Sequence, residues 1–239
     1  MTTSIMETVW LPLRLSIQVS IVSTIMVALT GTALGYLLSR KDFFAKDVID
    51  AIITLPMVLP PTVTGYYLIL ILGRRGFLGQ FVYNWTGWTL AFTWQAAVVA
   101  SLVVSFPLMV KTVRAAVDSV DPELEKASLL LGKGEVETVV KITLPLAWKG
   151  VLAGMVLSFA RGIGEFGATL MLAGNIPGKT ATMPLAIYSA TQSGDSVLAN
   201  SLVIILTLLS LTVIYVTNRL SRKGLTFGRD IDYKRASNL

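Results

Sequence analysis

Arg161 and Glu165 stand four residues apart inside "SFARGIGEFGATL" (158–170), a run that otherwise reads as apolar helix. On a continuous helix that spacing puts both side chains on one face, where opposite charges attract. A lone charge at mid-membrane costs at least ~3 kcal/mol on insertion scales, and pairing reduces that cost. Two readings are open: an ion pair that fixes helix packing, or an element of a transport pathway or gate. Gly162, Gly164 and Gly167 surround the pair, expose backbone and weaken the helix. A second stretch, "GNIPGKT" (174–180), has the look of a phosphate loop. The phosphate loop needs four residues between its glycines, whereas Gly174 and Gly178 enclose three and Ala173 occupies the required position. It is rejected as a nucleotide site. The chain has no Cys and no His, which excludes thiolate or imidazole metal sites, disulfides and triads built on either residue. HExxH and GxSxG are also absent, so neither an enzyme activity nor a cofactor or metal is expected.

The elements that must position the pair are dictated by composition. With 54% hydrophobic and 14% charged residues and a mean hydropathy of +0.70, the chain reads as an all-α integral membrane protein. Five segments, 15–38, 51–73, 88–110, 150–172 and 197–217, are long enough to cross a hydrocarbon core, which needs roughly 20 residues. Of these, only 150–172 contains charged residues, namely Arg161 and Glu165. The first eight residues carry no basic cluster, so the first span is expected to be its own insertion signal. Of the 20 Lys and Arg, three follow span one, six lie between spans three and four and six follow span five, all on one side of the membrane. The positive-inside rule then puts the N-terminus outside and the C-terminus in the cytoplasm. Topology therefore accounts for the net charge of +6 without nucleic acid. The same topology puts 174–180 outside, away from nucleotide.

Span two contains Pro56, Pro60 and Pro61 in "LPMVLPPTVTGYY". Prolines remove helical donors, and in a membrane the freed carbonyls must meet protein or a water-lined cavity. A packed kink and a pathway-lining break both remain open. Gly31 with Gly35, and Gly150 with Gly154, match the small-xxx-small pattern and are expected to pack helices within the chain. Residues 111–149 form the longest connection, with six basic and six acidic residues. A loop meant for anionic lipid would be lopsidedly basic, so this one reads as built to meet a protein; a solvated connector is the alternative. Asp121 is a capping residue, Pro122 suits the first helical position, Glu123 and Glu125 favour the helix dipole and Gly132 is a stop. A second helix is expected over 135–142, ending before "TLPLAW", where Pro145 permits re-entry into span four.

The segment "EKASLLLGKGEVETVVKITLPLAW" resembles the cytoplasmic Glu-Ala-Ala loop of bacterial ABC-importer permeases. Gly132, Ile142, Leu144 and Pro145 fall at matching places, while Lys126, Ala127 and Ser128 occupy the triplet and Glu125 stands one position early. Three further runs, "LPMVLPPTVTGYYLILILGRRGFLG", "SFPLMVKTVRAAV" and "FARGIGEFGATLMLAGNIPG", resemble molybdate permeases of type I ABC importers, and the likeness extends over roughly residues 11–220. The "ARxxGEFG" run is shared with sulfate permeases; the Pro-Pro and "GRRGFLG" segments tip the resemblance toward molybdate, with tungstate chemically close. The resemblance implies one transmembrane permease domain over 1–239, with a coupling loop at about 115–145 and the type I ABC importer permease fold. It implies a homodimer enclosing one pathway in the bacterial cytoplasmic (inner) membrane. Separate cytoplasmic ATPase subunits would hydrolyse ATP, and an external oxyanion-binding protein would deliver molybdate. Asp121, Glu125, Lys126, Ala127, Ser128, Gly132, Leu144 and Pro145 would form the coupling loop, and Arg161, Gly162, Gly164, Glu165 and Gly167 the pathway or gate. The alternatives are a sulfate or tungstate permease, an ATP-independent secondary transporter, or a membrane scaffold that docks a soluble protein. The 19 residues after Leu220 leave no expectation of a regulatory domain.

Overall fold

The structure, a computed structural model, describes residues 2–236. Met1 and residues 237–239, which fall within the expected single domain, lie outside the described residues, as do the side chains of Arg222, Lys223, Arg229, Lys234 and Arg235 used in the topology argument. The described elements are helices: α1 (Thr2–Arg40), α2 (Lys46–Val58), α3 (Pro61–Leu72), α4 (Gly79–Thr86), α5 (Trp94–Asp118), α6 (Pro122–Leu130), α7 (Glu135–Thr138), α8 (Leu144–Ile163), α9 (Gly167–Ala173), α10 (Met183–Gln192) and α11 (Ser196–Ala236). Among the described residues, four stretches are long and apolar enough to cross a membrane: Thr8–Arg40, Trp94–Asp118, Glu135–Ile163 and Ser196–Tyr215.

Helix α5 is the axis of the bundle. Ala96, Ala97, Ala100, Val104, Met109, Val110, Val113 and Val117 are buried along its length, and α1, α8 and α9 pack around it. The small residues act within the chain, as expected. A Cβ at Gly35 would lie 3.0 Å from the Val110 carbonyl oxygen, and one at Gly154 would lie 2.7 Å from Met109 Sδ. Close backbone approach is what glycine permits at such crossings. Helix α11 is the opposite case, with only 6% of its apolar window buried, so its hydrophobic surface faces outward.

Several sequence expectations are corrected. The second span is two half-helices, α2 and α3, of 13 and 12 residues, each too short alone for a ~30 Å hydrocarbon core at 1.5 Å per residue. The break falls at Leu59 and Pro60, both with extended ψ, and Pro61 opens α3. Pro56 does not break the chain; it sits inside α2, which runs on to Val58. The third span starts at Trp94 rather than at 88, because Thr93 caps it by accepting from the Ala96 N–H. It continues to Asp118, so Lys111 and Arg114 lie on the helix and pair with Asp50 of α2 at 2.8 and 3.4 Å. The second loop helix does not stop before Pro145. It passes from α7 through a π-helical turn (Val139–Thr143) directly into α8. Proline cannot donate to the carbonyl four residues back and its ring crowds that oxygen; the wider π turn just before Pro145 relieves the clash without ending the helix. Finally, the fourth span is broken: α8 ends at Ile163, and α9 begins at Gly167.

Candidate functional site: two facing helix breaks and an anchored loop

The break between α8 and α9 is where the charged pair sits. Glu165 therefore lies beyond the helix end rather than on a shared helical face with Arg161, although the two charges still meet. The Glu165 N–H donates to the Gly162 carbonyl at 3.1 Å, closing the turn. Its carboxylate then serves two sides. Oε1 accepts from the Ala168 N–H at 2.8 Å, which ties down the first turn of α9. Oε2 lies 2.8 Å from Arg161 Nη1 with angles off those of a hydrogen bond, so that attraction is Coulombic. The partners differ in exposure: 2% for the Glu165 side chain and 33% for that of Arg161. Glu165 is buried within the protein, whereas Arg161 opens into a cavity of about 200 Å³ lined also by Pro56, Met57, Leu59, Pro61 and Leu108.

Two features that the sequence treated separately are thus one place. The proline break of α2 and α3 faces Arg161 across the cavity, and α3 lies directly against α9. A Cβ at Gly167 would come within 3.0 Å of the Thr62 nitrogen and 3.1 Å of Pro61 Cβ, and one at Gly65 would be 2.7 Å from Ala168 Cα. Gly162 is buried against α5, where a Cβ would lie 2.6 Å from Ser101 Oγ. Gly164 closes α8 and is not crowded. Two half-helices that begin side by side near a cation, next to irregular backbone lining a cavity, form the kind of non-helical backbone that a membrane tolerates only inside protein. The pair is electrically neutral, so the cavity offers guanidinium donors without a deep positive trap.

The second group of residues is the loop after α5. Asp121 Oδ1 accepts from the Glu123 N–H at 2.9 Å, Pro122 opens α6, and Gly132 takes φ +84°, which ends the helix as expected. The face of α6 turned toward the bundle is tethered. Glu125 Oε1 accepts from Arg40 Nε at 3.1 Å and from Thr143 Oγ1 at 2.8 Å, and Arg40 Nη2 also donates to the Val120 carbonyl at 2.7 Å. Ser128 and Thr138, both buried, share a hydroxyl hydrogen bond of 2.8 Å. The other face is open: Lys126 and Ala127 are exposed, and Leu130, Leu131 and Val136 are 88%, 81% and 77% exposed. Bonding to the Glu123 carboxylate holds the Lys126 ammonium above the usual lysine range. Leu144 and Pro145 form the first turn of α8, immediately beyond Thr143. Arg40, Thr143 and the outward leucines escaped the sequence reading. The three consecutive leucines 129–131 in a charge-balanced loop were the signal that could have revealed the last of these.

The phosphate-loop lookalike is a self-contained turn. Thr180 Oγ1 accepts from the Ile176 N–H at 2.9 Å and donates to the Gly174 carbonyl at 3.3 Å, so its hydroxyl is used in folding the loop.

Residues 31–223 match the family described as the binding-protein-dependent transport system inner membrane component. The chain belongs to this family. It is 43% identical over 218 residues to the molybdenum transport system permease protein ModB of Escherichia coli K12, covering 90% of this chain and 95% of that protein. It is also 43% identical to the putative molybdenum transport system permease protein YvgM of Bacillus subtilis 168, over 85% of this chain and 90% of that one. Among solved structures, an inward-facing methionine ABC transporter, MetNI, superimposes with a TM-score of 0.71 at 19% identity, covering 93% of this chain and 99% of that one. At that identity the likeness speaks to the fold, which is the all-helical fold found in ABC importers. As a member of this transport family with several long apolar helices, the chain is a multi-pass membrane protein, and its outward apolar surfaces have a membrane to face.

Proposed function

We propose that this chain is the membrane-spanning permease subunit of an ATP-driven importer that carries molybdate across the bacterial cytoplasmic membrane. The observation that carries this reading is the 43% identity, over 90% of the chain, to a molybdenum transport system permease. The half-helices α2 and α3 together make a fifth crossing. With five crossings and the basic residues gathered at the loop end, the N-terminus is outside and the loop containing α6 and α7 is cytoplasmic. Two copies enclose one pathway, two ATPase subunits dock from the cytoplasm and an external protein delivers the oxyanion.

The geometry supports a division of labour. Leu130, Leu131 and Val136 present apolar surface to the ATPase, while Glu125, Ser128 and their partners bind the loop to α1 and to the start of α8. A push on α6 then travels through Thr143, Leu144 and Pro145 into α8, whose far end is the break at Gly164. Glu165 is the brace of that break, and Arg161, open to the cavity beside Pro61, is the residue that meets the anion. ATP-driven closure of the partners rocks this unit between outward and inward access.

The test is uptake of molybdate into proteoliposomes holding the permease, ATPase and binding protein, with Arg161→Gln compared with wild type. Uptake is expected to fall at least tenfold with assembly intact; undiminished uptake removes Arg161 from the pathway. Uptake that persists without the ATPase identifies an ATP-independent secondary transporter instead. Competition with sulfate and tungstate in the same assay reports which oxyanion is preferred.

A further inference from the structure

The run "GRRGFLG" (73–79) carries two arginines that neither the helix breaks nor the loop uses. Its backbone is folded tightly: the Gly76 N–H donates to the Gly73 carbonyl at 2.7 Å, Phe77 to Leu70 at 3.1 Å and Leu78 to Ile71 at 2.8 Å. Buried Gly79 has no room for a side chain, since its Cβ would lie 2.0 Å from the Gly73 carbonyl oxygen. The turn is therefore fixed, and it holds Arg74 and Arg75 outward, both exposed. Arg74 is further pinned by Tyr83 of α4, its guanidinium carbon lying 4.1 Å from the ring centroid and its Nη2 donating to the phenol oxygen. A planar cation over an aromatic face is held with little loss of its remaining donors.

Beside this turn is a cavity of about 390 Å³ lined by Arg74, Arg75, Gln80, Tyr83 and Asn84. The lining offers two guanidinium forks, two side-chain amides and a phenol, and it contains no carboxylate. Neither arginine forms an ion pair among the described residues. Guanidinium forks match the paired oxygens of a tetrahedral anion, each able to give two parallel hydrogen bonds. Phe77, Phe81 and Trp85 are exposed alongside at 76%, 63% and 89%, a composition suited to the membrane interface.

We propose that Arg74 and Arg75 form a holding site for a tetrahedral oxyanion at the outer rim of the permease. The site rests on the outside assignment of the α3–α4 turn given under Proposed function. The ligand is a tetrahedral oxyanion supplied either free in solution, as the transported anion is, or as the phosphate of a lipid headgroup.

The full chain in maltoside micelles, which contain no phosphate, is titrated calorimetrically with molybdate and, separately, with short-chain phosphatidylglycerol. Wild type is expected to bind saturably, and Arg74→Gln/Arg75→Gln at least tenfold more weakly, with Lys179→Gln, which removes an exposed cation that does not line the cavity, unchanged. Arg74→Lys/Arg75→Lys, which keeps the charge but loses the fork, is expected to fall between. Saturation by molybdate identifies the free anion as the source, and saturation by the lipid alone identifies the headgroup; either supports the site. Absence of saturable binding of both, or equal binding by the Gln variant with an unchanged unfolding temperature, overturns it. Because the titration needs neither ATPase nor flux, a failure here is separate from a failure of the uptake assay.

Discussion

At Glu165, one carboxylate answers two demands: a backbone N–H at the start of α9 and the guanidinium of Arg161. Removing it leaves a cation and an amide without partners in a membrane-embedded site. Breaking a buried pair by deleting one member typically costs about 3–5 kcal/mol, because the surviving group stays desolvated. Arg161, one-third exposed to the cavity, has a route to water that Glu165 lacks. Arg161→Gln, which strands the buried carboxylate, is therefore expected to lower the unfolding temperature in detergent more than Glu165→Ala, which leaves the cation its access to water. The opposite order in the unfolding scans makes the bond from the Ala168 N–H, rather than the ion pair, the main contribution of Glu165. The double variant Arg161→Gln/Glu165→Gln should recover part of the stability lost in Arg161→Gln, since no charge remains unpaired.

Among the elements, α6 shows how a nine-residue helix is anchored on one side and left open on the other. Its limits come from local chemistry, the Asp121 cap and the Gly132 stop, and its attachment comes from Arg40, 85 positions away from Glu125, and from Thr138 and Thr143 in the next turns of the loop. Gly132 sits at φ +84° with open space around it, so the obstacle to a side chain there is backbone conformation rather than crowding. A β-branched residue resists that region and Asn tolerates it. Gly132→Val is expected to reduce ATPase co-purification and stimulation several-fold, while Gly132→Asn retains most of both. Leu130→Asp/Leu131→Asp should abolish co-purification with an unchanged unfolding temperature, because both side chains are already exposed. Co-purification at wild-type levels in that variant places the docking surface elsewhere. The helix start and stop of α6 were legible because each depends on residues within a turn of it. The continuous passage of α7 into α8 was not, because a proline reads locally as a boundary, whereas the π turn that accommodates it lies between Thr138 and Thr143, both buried and bonded to α6.

For the whole molecule, the reading that carries most weight is orientation. The chain has no cysteine, so single cysteines can be introduced without a background. With a membrane-impermeant maleimide on intact cells or right-side-out vesicles, Lys179→Cys and Gln80→Cys should label directly, whereas Ala127→Cys and Lys133→Cys should label only after permeabilisation. The reverse pattern inverts the topology and moves the arginine rim to the cytoplasm. Five crossings also require α2 and α3 to span together, so Asp42→Cys and Arg75→Cys should fall on opposite sides.

Composition, the spacing of apolar runs and the distribution of Lys and Arg were sufficient for a membrane-embedded helical chain, for the outline of its loop and for the anomaly of Arg161 and Glu165. These properties are sums or short-range patterns, each expressed within a few turns of chain. The position of the fourth-span break was a different matter. Gly162, Gly164 and Gly167 weaken a helix, but where it ends follows from Gly162 lodging against Ser101, Gly167 against Thr62 and Pro61, and the Glu165 carboxylate turning to cap α9. The meeting of the proline break with the charged pair brings together residues about a hundred positions apart. No local propensity encodes such a meeting; it exists because α5 gathers α1, α8 and α9 around itself and α3 then packs onto α9. That packing, and not the four-residue spacing, makes Glu165 the buried partner and Arg161 the one that faces the cavity.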